Sequence, residues 1–287
     1  MTTTWTVEAA YARCEEITTA EAKNFAYGIK LLPPPKRRAM SAIYALARRI
    51  DDIGDGEAPV DEKLAGLAAV RDSLESVDAG NPPADDPVLI ALADALLNFD
   101  IPLAAFGEVV EGCELDCMGE AYQTFDDLAV YCRLVAGSIG RLSLGVFGTD
   151  RPAIAAPLAD RLGIALQVTN ILRDIVEDRE QMGRVYLPAQ DLARFGCRPD
   201  ASGPAEAMAD LVRYEAQLAK GLYEEGLELL PLLDRRSRAC VSAMAGIYRR
   251  LLDRIEAEPT AVLSRRISLP TWQKAWVAAR ALAGVAA

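Results

Sequence analysis

The stretch from Gln167 to Asp178, QVTNILRDIVED, constrains this chain more than any other. On a helix Asn170, Asp174 and Asp178 follow one another at four-residue intervals, with Gln167 three before the first, so all four project from one face. Around them Leu162, Ile164, Leu166, Val168, Ile171, Leu172, Ile175 and Val176 leave little else polar, and a helix that is apolar nearly all round is a buried one. Buried carboxylates spaced to repel each other are costly unless a cation or donor compensates them. An all-oxygen set without thiolate or imidazole suits magnesium rather than zinc, and magnesium held by few carboxylates completes its shell with water and substrate phosphate. The stripe therefore points to a phosphorylated ligand.

A second acidic cluster lies in RRIDDIGDGEAP, residues 48–59, where Asp51 and Asp55 fall one turn apart on a helix that Gly54, Gly56 and Pro59 bring to an end. Carboxylates in a C-terminal turn oppose the macrodipole, at roughly 0.3–1 kcal/mol each. A helix end shaped by stability alone would carry Lys or Arg there. Two such pairs facing each other across a cavity would hold a cluster of magnesium ions gripping a diphosphate. Arg48, one turn before Asp51, and Arg173, beside Asp174, are placed either to fork onto phosphate oxygens or to pair with the neighbouring aspartates.

The rest of the composition narrows the chemistry. The chain has no histidine, which removes catalytic triads, His-ligated zinc and imidazole acid–base catalysis. Its 42 acidic against 31 basic residues give a net charge of -11, which argues against a nucleic-acid partner. Six cysteines without a CxxC pair read as reduced packing residues in a cytoplasmic protein. MTTTWTVEAAY has no basic region followed by an apolar core, and no run nears 18 uninterrupted apolar residues, so neither a leader nor a spanning helix is expected.

Apolar residues return at three- and four-residue intervals almost throughout, predicting an all-α protein. Helices are expected near 7–20, 36–55, 61–77, 87–98, 102–120, 125–147, 152–182, 203–230, 234–257 and 271–285, separated by punctuation such as LLPPPK and DAGNPPADDP. No connection is long enough to divide the chain, so 1–287 reads as a single helical domain. The last helix, with Trp272 and Trp276 one turn apart in a basic segment, fits docking onto the bundle, with peripheral contact at the inner face of a membrane as the second reading.

Five motifs in order, NFAYGIKLLP, IYALARRIDDIGD, YCRLVAGSIG, QVTNILRDIVED and GRVYLP, resemble the squalene/phytoene synthase family of head-to-head isoprenyl diphosphate synthases, from about residue 10 to about 256. The wording of the first two is most similar to the bacterial presqualene diphosphate synthases. The resemblance implies the isoprenoid synthase bundle around a central apolar cavity. It implies magnesium, as two or three ions, on Asp51, Asp55, Asn170, Asp174 and Asp178. Positions at or near the diphosphate match Arg48, Gln167 and Arg173, with Lys23 and Asn24 in a strand-like entry before Phe25. Tyr44, Tyr131 and Tyr248 match the cavity wall near the reacting carbons, and Arg184 with Tyr186 a flap over the site.

The activity so implied is condensation of two farnesyl diphosphates to presqualene diphosphate, with no NADPH-dependent reduction, because no Gly-rich dinucleotide loop is present. Two alternatives stand beside it. One is carotenoid-type coupling to phytoene, from geranylgeranyl diphosphate, or to dehydrosqualene; Arg133, where many phytoene-forming relatives carry Tyr, speaks against it. The other is a non-catalytic assembly protein of the same fold, against which the intact acidic pairs argue.

Overall fold

A computed structural model describes residues 5–22 and 24–284. The closed end of the molecule is set by prolines and one lysine. Pro34 and Pro35, with φ already fixed, start α3 (Pro34–Asp55) after α1 (Val7–Glu21) and the single-turn α2 (Phe25–Ile29). From the first turn of α3, Lys36 Nζ donates to the Phe147 carbonyl at 2.6 Å, to Asp234 at 2.7 Å and to Ser237 Oγ at 3.1 Å. Asp234 is itself the N-cap of a later helix, accepting from the amides of Arg236 and Ser237. One ammonium thus fastens three helix ends.

The intervening helices are α4 (Val60–Asp78), α5 (Pro87–Asn98) and α6 (Ala104–Met118). Asp86 caps α5 through the amides of Val88 and Leu89 and accepts both Arg49 Nη atoms, at 2.5 and 2.9 Å, locking α5 to α3. Next, α7 (Phe125–Cys132) starts on a Thr124–Asp127 capping box and runs through a π-turn, Arg133–Gly137, into α8 (Ser138–Phe147). The longest helix, α9 (Pro152–Gln181), carries the polar stripe; α10 (Ala189–Arg194), α11 (Ala205–Gly226), α12 (Arg235–Ala257) and α13 (Thr271–Leu282) complete the bundle.

The helices predicted from periodicity are present, and no strand occurs among the described residues. Two short helices, α2 and α10, fell in stretches read as connections, because five or six residues hold too little periodicity to register. The strand-like entry at Asn24 is not observed: its backbone is right-handed helical, φ -101° and ψ -44°, since the Ala26 amide bonds the Ala22 carbonyl and carries the chain from α1 into α2 in one turn. Lys23 lies outside the described residues. The continuous stretch Phe125–Phe147 is long and apolar enough, by length and composition alone, to cross a membrane. More than half of it is buried here as bundle core.

Two contacts bring the walls together. Gly163 of α9 lies so near the π-turn that a Cβ would stand 2.5 Å from the Ala136 carbonyl oxygen and 2.7 Å from the Gly137 Cα, backbone that cannot move aside. Behind that wall, Glu215 of α11 is fully buried, and neither carboxylate oxygen meets a donor. Burial first, and the neighbouring Asp191 carboxylate second, push its carboxyl up to about 8, so that it pairs with Asp191 only as the acid. Its folded pKa exceeds the unfolded value of about 4.3, so the fold loses stability as pH rises from there through 8. Glu215→Gln, which donates without ionising, is expected to raise the melting temperature above pH 7, by roughly 1–3 kcal/mol of stability, and to flatten its fall with pH. An unchanged melting profile from pH 5 to about 9 would refute the shared proton.

Candidate active site

Helices α3, α8, α9 and α12 surround a cavity of about 900 Å³. At its closed end stand Met40, Leu144 and Phe147; at its mouth stand Asp51 and Asp55 from α3 with Asp174 and Asp178 from α9. The two helices reach the same opening because both run towards it from the closed end, α3 from the Lys36 staple and α9 from the turn after Phe147. Among the described residues, every position singled out from the sequence lines this space: Asn24, Phe25, Tyr44, Arg48, Asp51, Asp55, Tyr131, Gln167, Asn170, Arg173, Asp174, Asp178, Arg184, Tyr186 and Tyr248.

The mouth is acidic and only partly neutralised. Asp51 keeps about half its surface open to the cavity, yet protein walls surround it on most sides. That loss of bulk water, then the charge of Asp55, pushes its carboxyl up to about 6. Asp178 rises to about 7, first from burial and then from Asp174 and Glu177. Guanidinium groups relieve part of the repulsion. Arg48 pairs with Asp51 at 3.2 Å and Asp52 at 2.5 Å, and Arg173 forks onto Asp174 at 2.8 and 2.5 Å.

Arg184 ties the two clusters together. Gly183, at φ +67°, ends α9 in the left-handed region and turns the chain back across the mouth. Arg184 then donates to Asp55 Oδ1 at 2.6 Å and to the Gly54 carbonyl at 3.2 Å, while its charge also acts on Asp178. The flap expected at Arg184 and Tyr186 is therefore a strap from the end of α9 to the end of α3.

Three residues at the site escaped the sequence reading. Asp116 of α6 accepts from the Tyr131 hydroxyl at 2.8 Å and the Tyr186 hydroxyl at 2.9 Å. Burial raises its pKa against the opposing pull of Arg184, and Tyr122 packs over both phenols at centroid distances of 5.3 and 6.3 Å. Arg266, in the loop before α13, reaches Asp174 at 3.0 Å and Glu177 at 3.2 Å. Cys113, read as packing alone, also faces the cavity. In the sequence Asp116 is one of four acids on α6, with Glu108, Glu111 and Glu114, and nothing local sets it apart. Arg133, by contrast, lies off the cavity and pairs with Glu108 at 2.8 Å. Its side chain does not line the space open to a prenyl chain.

The donor set suits magnesium. Among the described residues no three His, Cys, Asp or Glu side chains form a ready cage; an ion here would take one or two carboxylates and leave its remaining positions to water and phosphate. Asn170 lines the cavity one turn before Asp174 on α9, and its buried Oδ1 lacks a hydrogen-bond partner. A buried acceptor left so is a place for a cation or its water.

The chain matches the family model described as squalene/phytoene synthase over residues 18–273. It is 49% identical to the phytoene synthase of Mycobacterium tuberculosis over 283 residues, covering 96% of this chain and 92% of that one. Against the phytoene synthase of Arthrospira platensis it is 37% identical, with 92% and 90% covered. A dehydrosqualene synthase crystallised with a ligand superposes with a TM-score of 0.87 at 32% identity, covering 97% of each chain. The squalene synthase HpnC of Alicyclobacillus acidocaldarius gives 0.79 at 28% identity, with 88% of this chain and 95% of that one covered. The cavity with its two facing acidic ends and the similarity along nearly the whole length lead to one conclusion: the chain belongs to the squalene/phytoene synthase family, whose reaction is head-to-head prenyl condensation.

Proposed function

We propose that this enzyme joins two geranylgeranyl diphosphates to phytoene, in place of the presqualene diphosphate synthesis that its motif wording suggests. The observation carrying this reading is the 49% identity over 96% of the chain to a phytoene synthase. With Arg133 outside the cavity, the residue that spoke against carotenoid-type coupling is removed from the argument.

Asp51, Asp55, Asn170, Asp174 and Asp178 would hold the ions, and magnesium would supply Lewis-acid stabilisation of the departing diphosphate. Arg48, Arg173, Arg184 and Arg266, now paired with aspartates, are placed to exchange those partners for phosphate oxygens. Phe25 and Tyr248, 5.6 Å apart, present ring faces to an allylic cation, and the apolar cavity excludes water that would quench it. Coupling of the first cation to the second prenyl chain would close a cyclopropane and release one proton, which passes to the Tyr131 oxygen while that phenol's own proton moves to Asp116, a carboxylate made more basic by burial. Loss of the remaining diphosphate, opening of the ring and loss of a second proton would then give acyclic phytoene.

The test supplies purified enzyme and magnesium with farnesyl or geranylgeranyl diphosphate, with and without NADPH, and identifies the lipid formed. Phytoene from the geranylgeranyl substrate, independent of NADPH and at least tenfold faster than any farnesyl product, is expected. Equal or faster conversion of farnesyl diphosphate to presqualene diphosphate or dehydrosqualene would overturn the proposal and restore the alternative.

A further inference from the structure

Helix α13 is apolar on two opposite faces, and the bundle uses only one. Inward, Val277, Ala278 and Ala281 are buried, the latter two packing with Ala243 of α12 and with Tyr27 and Leu31. Outward, Trp272, Ala275, Trp276, Ala279 and Ala283 are exposed, at offsets of three, four, seven and eleven from the first, a continuous stripe at helical spacing. Trp272 is 68% and Trp276 43% exposed. Scattered surface apolar residues need no explanation, but a stripe carrying two tryptophans does.

The edges of the stripe are basic. Arg250 of α12 and Arg280 lie over the Trp276 ring at 4.8 and 4.6 Å, which fixes the indole with guanidinium groups beside it. From Pro259 to Gly284 the chain has Arg265, Arg266, Lys274 and Arg280 but neither Asp nor Glu, within a protein of net charge -11. Arg265 pairs with Glu258, Arg266 pairs with Asp174 and Glu177, and Lys274 lines the cavity, so the basic groups beside the stripe itself are Arg250 and Arg280. At physiological ionic strength charges more than about 8 Å away are largely screened, so a surface close to α13 senses the local sign rather than the net one. The same segment borders the cavity: Arg266, Ile267, Ser268, Leu269 and Lys274 are among its lining residues.

We propose that the outer face of α13 seats the enzyme on an anionic bilayer, its tryptophans at headgroup depth and its basic edges against lipid phosphates, with the cavity mouth beside the membrane. Aromatic residues flanked by Lys and Arg are what the interface selects. The purpose of this surface rests on the proposed function, because a hydrocarbon product then passes from cavity to lipid without crossing water. The docking itself needs no catalysis.

The test is sedimentation of the purified full chain with vesicles of phosphatidylcholine alone or of equal parts phosphatidylcholine and phosphatidylglycerol. Binding to the anionic vesicles, weakened by salt and at least tenfold lower in Trp272→Ala/Trp276→Ala, is expected. Unchanged melting temperature and unchanged turnover of detergent-dispersed substrate would show that the variant is folded. Equal vesicle binding by parent and variant, or no binding by the parent, overturns the proposal. So does a dimer in solution that the double variant dissociates, because a second copy would then cover the stripe. Vesicle binding is read without substrate, so failure of the docking and failure of the phytoene assignment give separate results.

Discussion

Asp51→Asn is expected to lower turnover by three orders of magnitude or more, about 4 kcal/mol of transition-state stabilisation, while leaving the melting temperature unchanged or raised. The opposite signs follow from the same charges. Asp51 sits among Asp55, Asp52 and Asp116, whose fields oppose its ionisation, and its one pairing, with Arg48, is half open to solvent. Removing its charge therefore relieves the resting fold and removes an ion ligand. Asp174→Asn should lose as much activity but also stability, because Asp174 and Arg173 form a buried pair, 13% and 12% exposed, that the change breaks. Steady-state turnover at saturating magnesium, with thermal melts of both variants, checks this. Near-parental turnover in either variant would count decisively against the acidic pairs as the metal site.

That the acidic ends could be read beforehand has a physical cause. Asp174 and Asp178 are a local signal, one turn apart on a helix otherwise apolar, and Asp51 with Asp55 contradicts the macrodipole; neither feature needs tertiary information. Helix starts were equally legible where Pro87 and Pro152 fix φ in the first turn, whereas α3 starts at Pro34, inside the LLPPPK stretch read as a connection. Other features are products of packing. The π-turn at Arg133–Gly137 leaves no compositional mark, and Asp116 gains meaning only when Tyr131 and Tyr186, 15 and 70 residues away, meet it. Arg133 shows the reverse error, a motif position given weight that its outward pairing with Glu108 removes. The tail read as docking onto the bundle does dock, through Val277, Ala278 and Ala281; its second apolar face became evident only once the first was occupied.

Asp116→Ala is expected to cut turnover about a hundredfold, roughly 2.7 kcal/mol, and its effect should not add to that of Tyr131→Phe. Asp116 accepts from two phenols at once, and hydrogen bonds to a charged acceptor contribute about 1.5–3 kcal/mol each when buried. Tyr131 is 2% exposed, so its hydroxyl has no water to replace the lost acceptor. Deleting either partner disables the same unit, and the double variant should resemble the worse single one. Asp116→Asn separates the two roles open to this carboxylate. An amide still accepts from a phenol through its carbonyl but cannot take up a proton. If Asp116 only positions Tyr131, the Asn variant should recover most of kcat. If it is where the proton goes, Asn should be as poor as Ala although Tyr131 stays in place. The proton path through Tyr131 predicts the second result, and kcat restored by Asn would remove Asp116 from the chemistry and leave it a support for the cavity wall.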